Sequence, residues 1–302
     1  MLGSKETQNI RNTSRVAVCR VNHTLAIRTF DCVATEEPLE IQIGQERKGW
    51  RTLRPVSVTM RTPGHDAELA IGFLFGEGIL GPRSDVAAIE FPNDPDQSSN
   101  LVRVQLREGI SVSPQQLDRN FYMTSSCGLC GKSSLEAVRR MTPDAVTEVP
   151  TDFQISAPAI HQMSLHLRES QEIFEQTGGL HAAGLFEASG KLQILREDVG
   201  RHNAVDKIVG AMWLEEDIPL RRRVLFVSGR ASFELVQKAA RAGIPVLAAV
   251  GAPSSLAVEL AKACGMTLLG FVRDGRFNVY SADFRLRQSE GSHARPEETI
   301  VS

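Results

Sequence analysis

No apolar run in this chain approaches the ~20 residues that a membrane span needs, and residues 1 to 14 are polar, without the apolar core of a secretion signal. Both absences lead to the expectation of a cytoplasmic protein with no membrane partner. Cysteine is scarce and odd in number, five in 302 residues, which excludes the reading of a secreted disulfide scaffold. Charge of one sign is missing too: 34 basic against 36 acidic residues give a net charge of -2, which argues against a general nucleic-acid or membrane-surface binder. Internal repeats, low-complexity tracts, a Walker A loop and a dinucleotide fingerprint are all absent. What remains is an ordinary globular composition, 42% hydrophobic and 23% charged, long enough for one large or two ordinary domains.

The feature that stands out is Ser125-Ser126-Cys127-Gly128-Leu129-Cys130-Gly131-Lys132. It is a Cys-x-x-Cys with no second pair to complete a zinc ribbon; Cys19, Cys32 and Cys264 stand alone and receive no role. The reactive form of cysteine is the thiolate, which positive charge and a helix N-terminus favour. Lys132 lies next to the pair, and the Leu135 and Val138 spacing predicts a helix over 133–141. Gly128 and Gly131 give the loop conformational freedom. A redox or sulfur-transfer pair, a metal shared between subunits and a structural thiol pair all fit this spacing.

Elsewhere the chain alternates short apolar runs with helical periodicity. The tails, 1–14 and 288–302, read as disordered. A smaller strand-rich part, 15–150, carries the Cys loop. Val56, Val58 and Met60 alternate along a half-buried strand, 54–61, and Ala67, Ala70, Ile71 and Leu74 line one face of a helix from Asp66 to Gly76 or Gly78. Leu101–Leu106 is a further strand, 93–100 an exposed loop, and 144–152 a connector containing Pro150. Ser156 as N-cap and Pro158 in the first turn predict one helix ending near Gln176 before Gly178. Residues 151–287 then form an α/β unit. Its predicted strands are 181–187, 192–195, 224–227, 246–250 and 268–272, and its helices are 203–214, 233–242 and 255–264. Arg273-Asp274-Gly275-Arg276 is a hairpin turn into 277–280.

Two strand-to-helix corners, Ser228-Gly229-Arg230-Ala231-Ser232 and Gly251-Ala252-Pro253-Ser254-Ser255, place small residues and helix N–H groups where anions bind in open α/β sheets. A single such corner reads more readily as an ordinary tight turn; two adjacent ones beside Arg230 point toward a nucleotide or pyrophosphate ligand. Residues 196–207 are dense in polar groups, with His202 and Asp206 on one helical face, and read either as a solvated, capped helix start or as a ligand-facing one. Arg273 and Arg276 flank a turn and either clamp phosphate oxygens or stand as exposed hairpin arginines with no ligand. His65 and Glu68 either support a site or cap their helix. A zinc deaminase would need a proton-transferring Glu after its histidine and a Pro before its cysteines; here His181 is followed two residues on by Ala183, and Cys127 by contrast is preceded by Ser126.

In combination and order these pieces resemble the FdhD family: Thr62-Pro63-Gly64-His65-Asp66-Ala67-Glu68-Leu69-Ala70, Ser126–Gly131, Arg196–Lys207, Ser228-Gly229-Arg230 and Phe271-Val272-Arg273-Asp274-Gly275-Arg276. The resemblance covers most of 15–285. It implies a cytidine-deaminase-like α/β fold without deaminase zinc chemistry. It further implies a sulfurtransferase that takes persulfide sulfur from a cysteine desulfurase and passes it to the molybdenum cofactor, in its bis-molybdopterin guanine dinucleotide form, before that cofactor enters formate dehydrogenase. A homodimer is implied as well. In these terms Cys127 would carry the persulfide with Cys130 as helper, and residues 228–230 and 271–276 would bind the cofactor. A cofactor-binding chaperone and a thiol–disulfide oxidoreductase are the competing classes.

Overall fold

A computed structural model describes residues 12–47, 50–92, 100–110, 112, 150 and 152–287. The Cys127–Cys130 loop, the predicted helix 133–141, the C-terminal tail and most of the 93–100 and 144–152 segments lie outside the described residues.

The chain opens with an antiparallel hairpin, β1 (Thr13–Asn22) and β2 (Leu25–Ala34). β1 therefore begins at Thr13, inside the segment expected as tail. A four-stranded sheet of order β4-β3-β6-β5 follows, from β3 (Glu37–Arg47), β4 (Trp50–Arg61), β5 (Val86–Glu90) and β6 (Leu101–Leu106); β3 and β6 are parallel. Helix α1 (Asp66–Gly76) lies on it, its Leu69, Ile71 and Leu74 packed with Leu39, Ile41, Ile43, Val56, Val102 and Val104.

Along β4 the expected alternation fails. Val56 is 1% exposed, yet Val58 is 65% and Met60 48% exposed. The cause is a β-bulge: Ile41 pairs with Ser57 and Gln42 with Pro55, so Val56 is an extra residue between them. One inserted residue reverses which face the later side chains take. Pro55, which has no N–H for a ladder, sits at that bulge.

The second sheet has six strands in the order β13-β12-β11-β10-β8-β9. Its members are β8 (His181–Phe186), β9 (Leu192–Asp198), β10 (Val224–Val227), β11 (Val246–Ala249), β12 (Thr267–Arg273) and β13 (Arg276–Ser281). β10, β11 and β12 are parallel; β8, β9 and β13 complete it antiparallel. A short parallel pair, β7 (Ile155–Ser156) with β14 (Leu286–Arg287), joins the two ends of this unit. On one face pack α4 (Arg201–Leu214), α5 (Phe233–Arg241) and α6 (Ser255–Ala263); on the other, α2 (Ala157–Glu169). Leu225 and Val227 enter the core under the three helices, whereas Val224 and Phe226 enter the core under α2. A strand covered on both faces needs an unbroken apolar run, which Val224–Val227 supplies.

The single helix expected to Gln176 is broken. α2 ends at Glu169 and α3 (Glu172–Thr177) starts anew. The Glu197 carboxylate accepts from the Ile173 and Phe174 N–H groups at 3.0 and 2.8 Å, satisfying donors that a continuous helix would have used internally. Gly178 then closes α3 in the left-handed region at φ 67°.

Helix α4 ties the two sheets together. Most of it faces the second core, but Trp213 belongs to the first. Two glycines let α1 and α4 touch backbone to backbone. A Cβ on Gly72 would fall 1.8 Å from the Asp206 carbonyl oxygen, and one on Gly210 would fall 1.8 Å from that of Glu68. Charges buried along this seam are paired: Lys207 Nζ to Asp198 at 2.7 Å, and Lys238 Nζ to Asp206 at 2.6 Å. Burial works to lower the Lys238 ammonium, but Asp206 and Glu77 outweigh it and hold it above its ordinary range.

Candidate functional site

Because β8 runs opposite to β10 while β9, antiparallel to β8, runs with it, the start of β8, the end of β9 and the ends of β10, β11 and β12 all reach the same edge of the six-stranded sheet. This is the carboxyl edge of the parallel strands, where open α/β sheets place ligands. Backbone hydrogen bonds continue across it beyond the strands. Ser228 N donates to Ala182 O at 2.9 Å, Gly251 N to Gly229 O at 2.9 Å, and Phe271 N to Gly251 O at 3.1 Å. Ala231 N also donates to Ala252 O at 3.2 Å, and the Ser228 hydroxyl accepts from Ala182 N at 2.9 Å. The two corners and the 271–276 stretch, read as separate patches in the sequence, are thus one laced row.

Gly251 makes this lacing possible: a Cβ there would come 3.1 Å from both Gly229 O and the Arg230 side chain. Phe271 holds φ at 54°, an unusual value for an aromatic residue and one that persists only when the surroundings fix it. Here the fixing bond runs to Gly251 O, next to a register shift between Gly270 and Arg273. Asp274 (φ 53°) and Gly275 (φ 71°) then make the expected two-residue hairpin. It sets Arg273 directly opposite Arg276, both exposed. Like charges directly opposite destabilise a hairpin. Arg230 is exposed as well, and Arg230, Arg273 and Arg276 form no ion pair among the described residues.

The first turn of α4 supplies the next part of the edge. Gly200 is its N-cap. Asp198 organises the approach: Oδ1 accepts from Gly200 N at 2.8 Å and from Asn203 Nδ2 at 2.9 Å, while Oδ2 accepts from Thr62 N at 3.2 Å and pairs with Lys207. Lys207 Nζ also donates to Thr62 O at 2.9 Å, and Val199 N to the Thr62 hydroxyl at 3.2 Å. The 62–65 loop is in this way pinned to the second sheet. His65, the N-cap of α1, lies at φ 58° and makes no side-chain cap bond. Its Nδ1 is 3.3 Å from Glu68, which Arg196 grips with both guanidinium arms at 2.6 and 2.7 Å. Burial opposes ionisation of Glu68, but the Arg196 and His65 hydrogen bonds outweigh it and hold the carboxyl below its ordinary range. His65 and Glu68 therefore support the junction rather than cap the helix.

His202 Nε2 lies 3.3 Å from the Ser232 hydroxyl and 3.2 Å from Glu234, joining α4 to the first turn of α5. That hydrogen bond holds the Glu234 carboxyl below the usual carboxylate range against the opposing effect of burial. His181 opens β8 beside Gly229. Asp206, expected on the His202 face, instead turns into the seam toward Lys238, where burial pushes its carboxyl up. Sequence reasoning missed Glu234 and the Glu68–Arg196 clamp. The clamp joins residues 128 apart and has no local signal; Glu234 had one, an acid just after the Ser232 N-cap. Cys127 and Cys130 lie outside the described residues, and among the described residues no three His, Cys, Asp or Glu side chains group as metal ligands.

The sequence model of the FdhD/NarQ family matches residues 34–287. A curated relative from Mycolicibacterium paratuberculosis, named sulfur carrier protein FdhD, is 48% identical over 278 residues, spanning 91% of this chain and 98% of its own. One of the same name from Streptomyces coelicolor is 46% identical, covering 91% and 96%, and one from Sulfurisphaera tokodaii is 41% identical, covering 88% and 96%. A crystal structure from Desulfotalea psychrophila, described as a formate dehydrogenase accessory protein, superposes with a TM-score of 0.68 at 25% identity over 91% of this chain and 99% of that one. With the family model spanning both sheets and the relatives spanning nearly the whole chain, this protein is a member of the FdhD/NarQ family.

Proposed function

We propose that this protein is a sulfur carrier of formate dehydrogenase maturation, acting as a sulfurtransferase in the cytoplasm. The Cys127 thiolate attacks the outer sulfur of a persulfide on a cysteine desulfurase. The new S–S bond forms as the donor's S–S bond breaks, leaving Cys127–S–SH on this chain and a thiol on the donor. Cys130 assists the release of that sulfur to the substrate, the molybdenum cofactor in its bis-guanine-dinucleotide form, before it enters formate dehydrogenase. The names carried by the curated relatives support the carrier role.

One observation carries the assignment of the substrate-binding face. The sheet edge gathers Arg230, Arg273 and Arg276, two of them opposed across a hairpin, with no carboxylate on any of them among the described residues. Uncompensated arginines beside helix N-termini suit pyrophosphate oxygens. In this reading Ser228, Gly229 and Arg230 line one nucleotide arm, and Phe271, Val272, Arg273, Asp274, Gly275 and Arg276 the other. The same proposal takes the layering as cytidine-deaminase-like, with residues 15–150 and 151–287 as its two subdomains and a homodimer as the working form.

The test is intact-mass spectrometry under non-reducing conditions after incubation with a cysteine desulfurase and cysteine. The expected result is one added sulfur, removed by reductant and absent from Cys127→Ala. If no sulfur is added while guanine nucleotides still bind, the protein is a cofactor chaperone instead. If a reversible Cys127–Cys130 disulfide forms without sulfur loading, it is a thiol–disulfide oxidoreductase.

A further inference from the structure

The edge contains two imidazoles in contrasting settings. His202 is matched: its Nε2 faces the Glu234 carboxylate and the Ser232 hydroxyl. His181 is not: it makes no side-chain hydrogen bond among the described residues. Its register partner on β9 is Asp198, but that carboxylate is taken up by Lys207 and by the N–H groups of Thr62, Gly200 and Asn203. α4 directs the charges of Arg201 and His202 at it. The β10–α5 corner brings Gly229, where even a methyl group would lie 3.4 Å from the imidazole Nδ1, and the Gly178–Leu180 turn brings no charge. Arg201 itself has a buried Nε with no hydrogen-bond partner among the described residues. His181 thus sits half-buried in surroundings weighted to positive charge, beside backbone kept open by a glycine.

We propose that occupancy of this edge by a pyrophosphate diester is coupled to proton uptake by His181. The proposal rests on the reading of the edge as a nucleotide site and adds its control by protons. Burial, with the charges of Arg201 and His202, holds the imidazole below its ordinary range, opposed only by Asp198. A doubly anionic pyrophosphate placed against Arg201 reverses the local balance and favours imidazolium. The complex then binds more protons than the free protein, so affinity is highest below the imidazole pKa of the free protein. It falls as pH rises from that value to the imidazole pKa of the complex, by up to about tenfold per pH unit at full uptake, and levels off above it. Such a site would hold its ligand more loosely wherever the proton is withdrawn.

GDP-mannose is the probe, because its pyrophosphate is a diester that does not titrate near neutrality. Calorimetric titrations in two buffers of different ionisation enthalpy give the protons taken up on binding. Wild type is expected to take up about half a proton or more near neutral pH. His181→Gln is expected to bind several-fold more weakly and to take up none. The wild-type His181 ring resonance, followed by NMR, is expected to titrate at higher pH when GDP-mannose saturates the protein; this reading stands even if the variant folds poorly. Binding without uptake and without movement of that resonance overturns the coupling alone, as does full uptake by His181→Gln. No binding at any pH overturns the nucleotide reading and the coupling with it.

Discussion

The α1–α4 seam and the sheet edge begin about one helical turn apart on α4, yet they treat charge in opposite ways. In the seam the buried charges have partners, Lys207 with Asp198 and Lys238 with Asp206, and at the end of β4 the buried Arg61 has one in Asp66 at 2.8 Å. At the edge, Arg230, Arg273 and Arg276 have none among the described residues, and two of them face each other. A buried charge stripped of its partner costs several kcal/mol, so the seam's pairing is a requirement of folding. An exposed unpaired arginine costs little, and an opposed pair costs something without returning stability. The seam's charges serve the fold, whereas the edge's charges, on the proposal made above, serve an anionic ligand.

The largest effect should come from the seam. Lys207→Met leaves Asp198, 0% exposed, without its ammonium and Thr62 O without a donor. A loss of about 3–5 kcal/mol is expected in urea unfolding. A loss below about 1 kcal/mol would mean that water reaches Asp198, and the contrast between seam and edge would break.

A smaller effect is expected at Glu68, where seam and edge meet. Glu68→Gln keeps the shape but removes the charge that Arg196 grips, for about 1–2 kcal/mol at neutral pH. The sign of its pH dependence follows from the lowered carboxyl. Its stabilisation is fully present above the ordinary carboxylate pKa and disappears as pH falls through the native value. Stability of wild type should therefore drop more steeply than that of Glu68→Gln in the acid range. Parallel acid limbs for the two proteins would contradict the clamp.

Much of the second sheet was legible in the sequence because its signals are local. Unbroken apolar runs such as Val224–Val227, N-caps such as Ser156 and the Asp274-Gly275 turn each act over a few residues. The features that escaped depend on distant partners. The break before α3 exists because Glu197 captures its N-terminus. The reversal along β4 exists because Val56 has no opposite residue on β3. The same divide holds for the site. The corner 228–232 and the turn 273–276 were identifiable from glycine, serine and arginine, but their union through Gly251 and Phe271 is a property of strand order. The Glu68–Arg196 and His202–Glu234 pairs, from separate segments, could not be paired by spacing.

The central claim is that the edge arginines serve a ligand and not the fold. The most direct test measures GDP-mannose affinity and the urea unfolding midpoint together, for wild type and for the double variant Arg273→Ala with Arg276→Ala. The account predicts affinity weakened about tenfold to a hundredfold, as for the loss of charge-assisted hydrogen bonds, with an unfolding midpoint unchanged or raised. An unchanged affinity with a lowered midpoint would contradict it, and would return these arginines to the architecture of the hairpin.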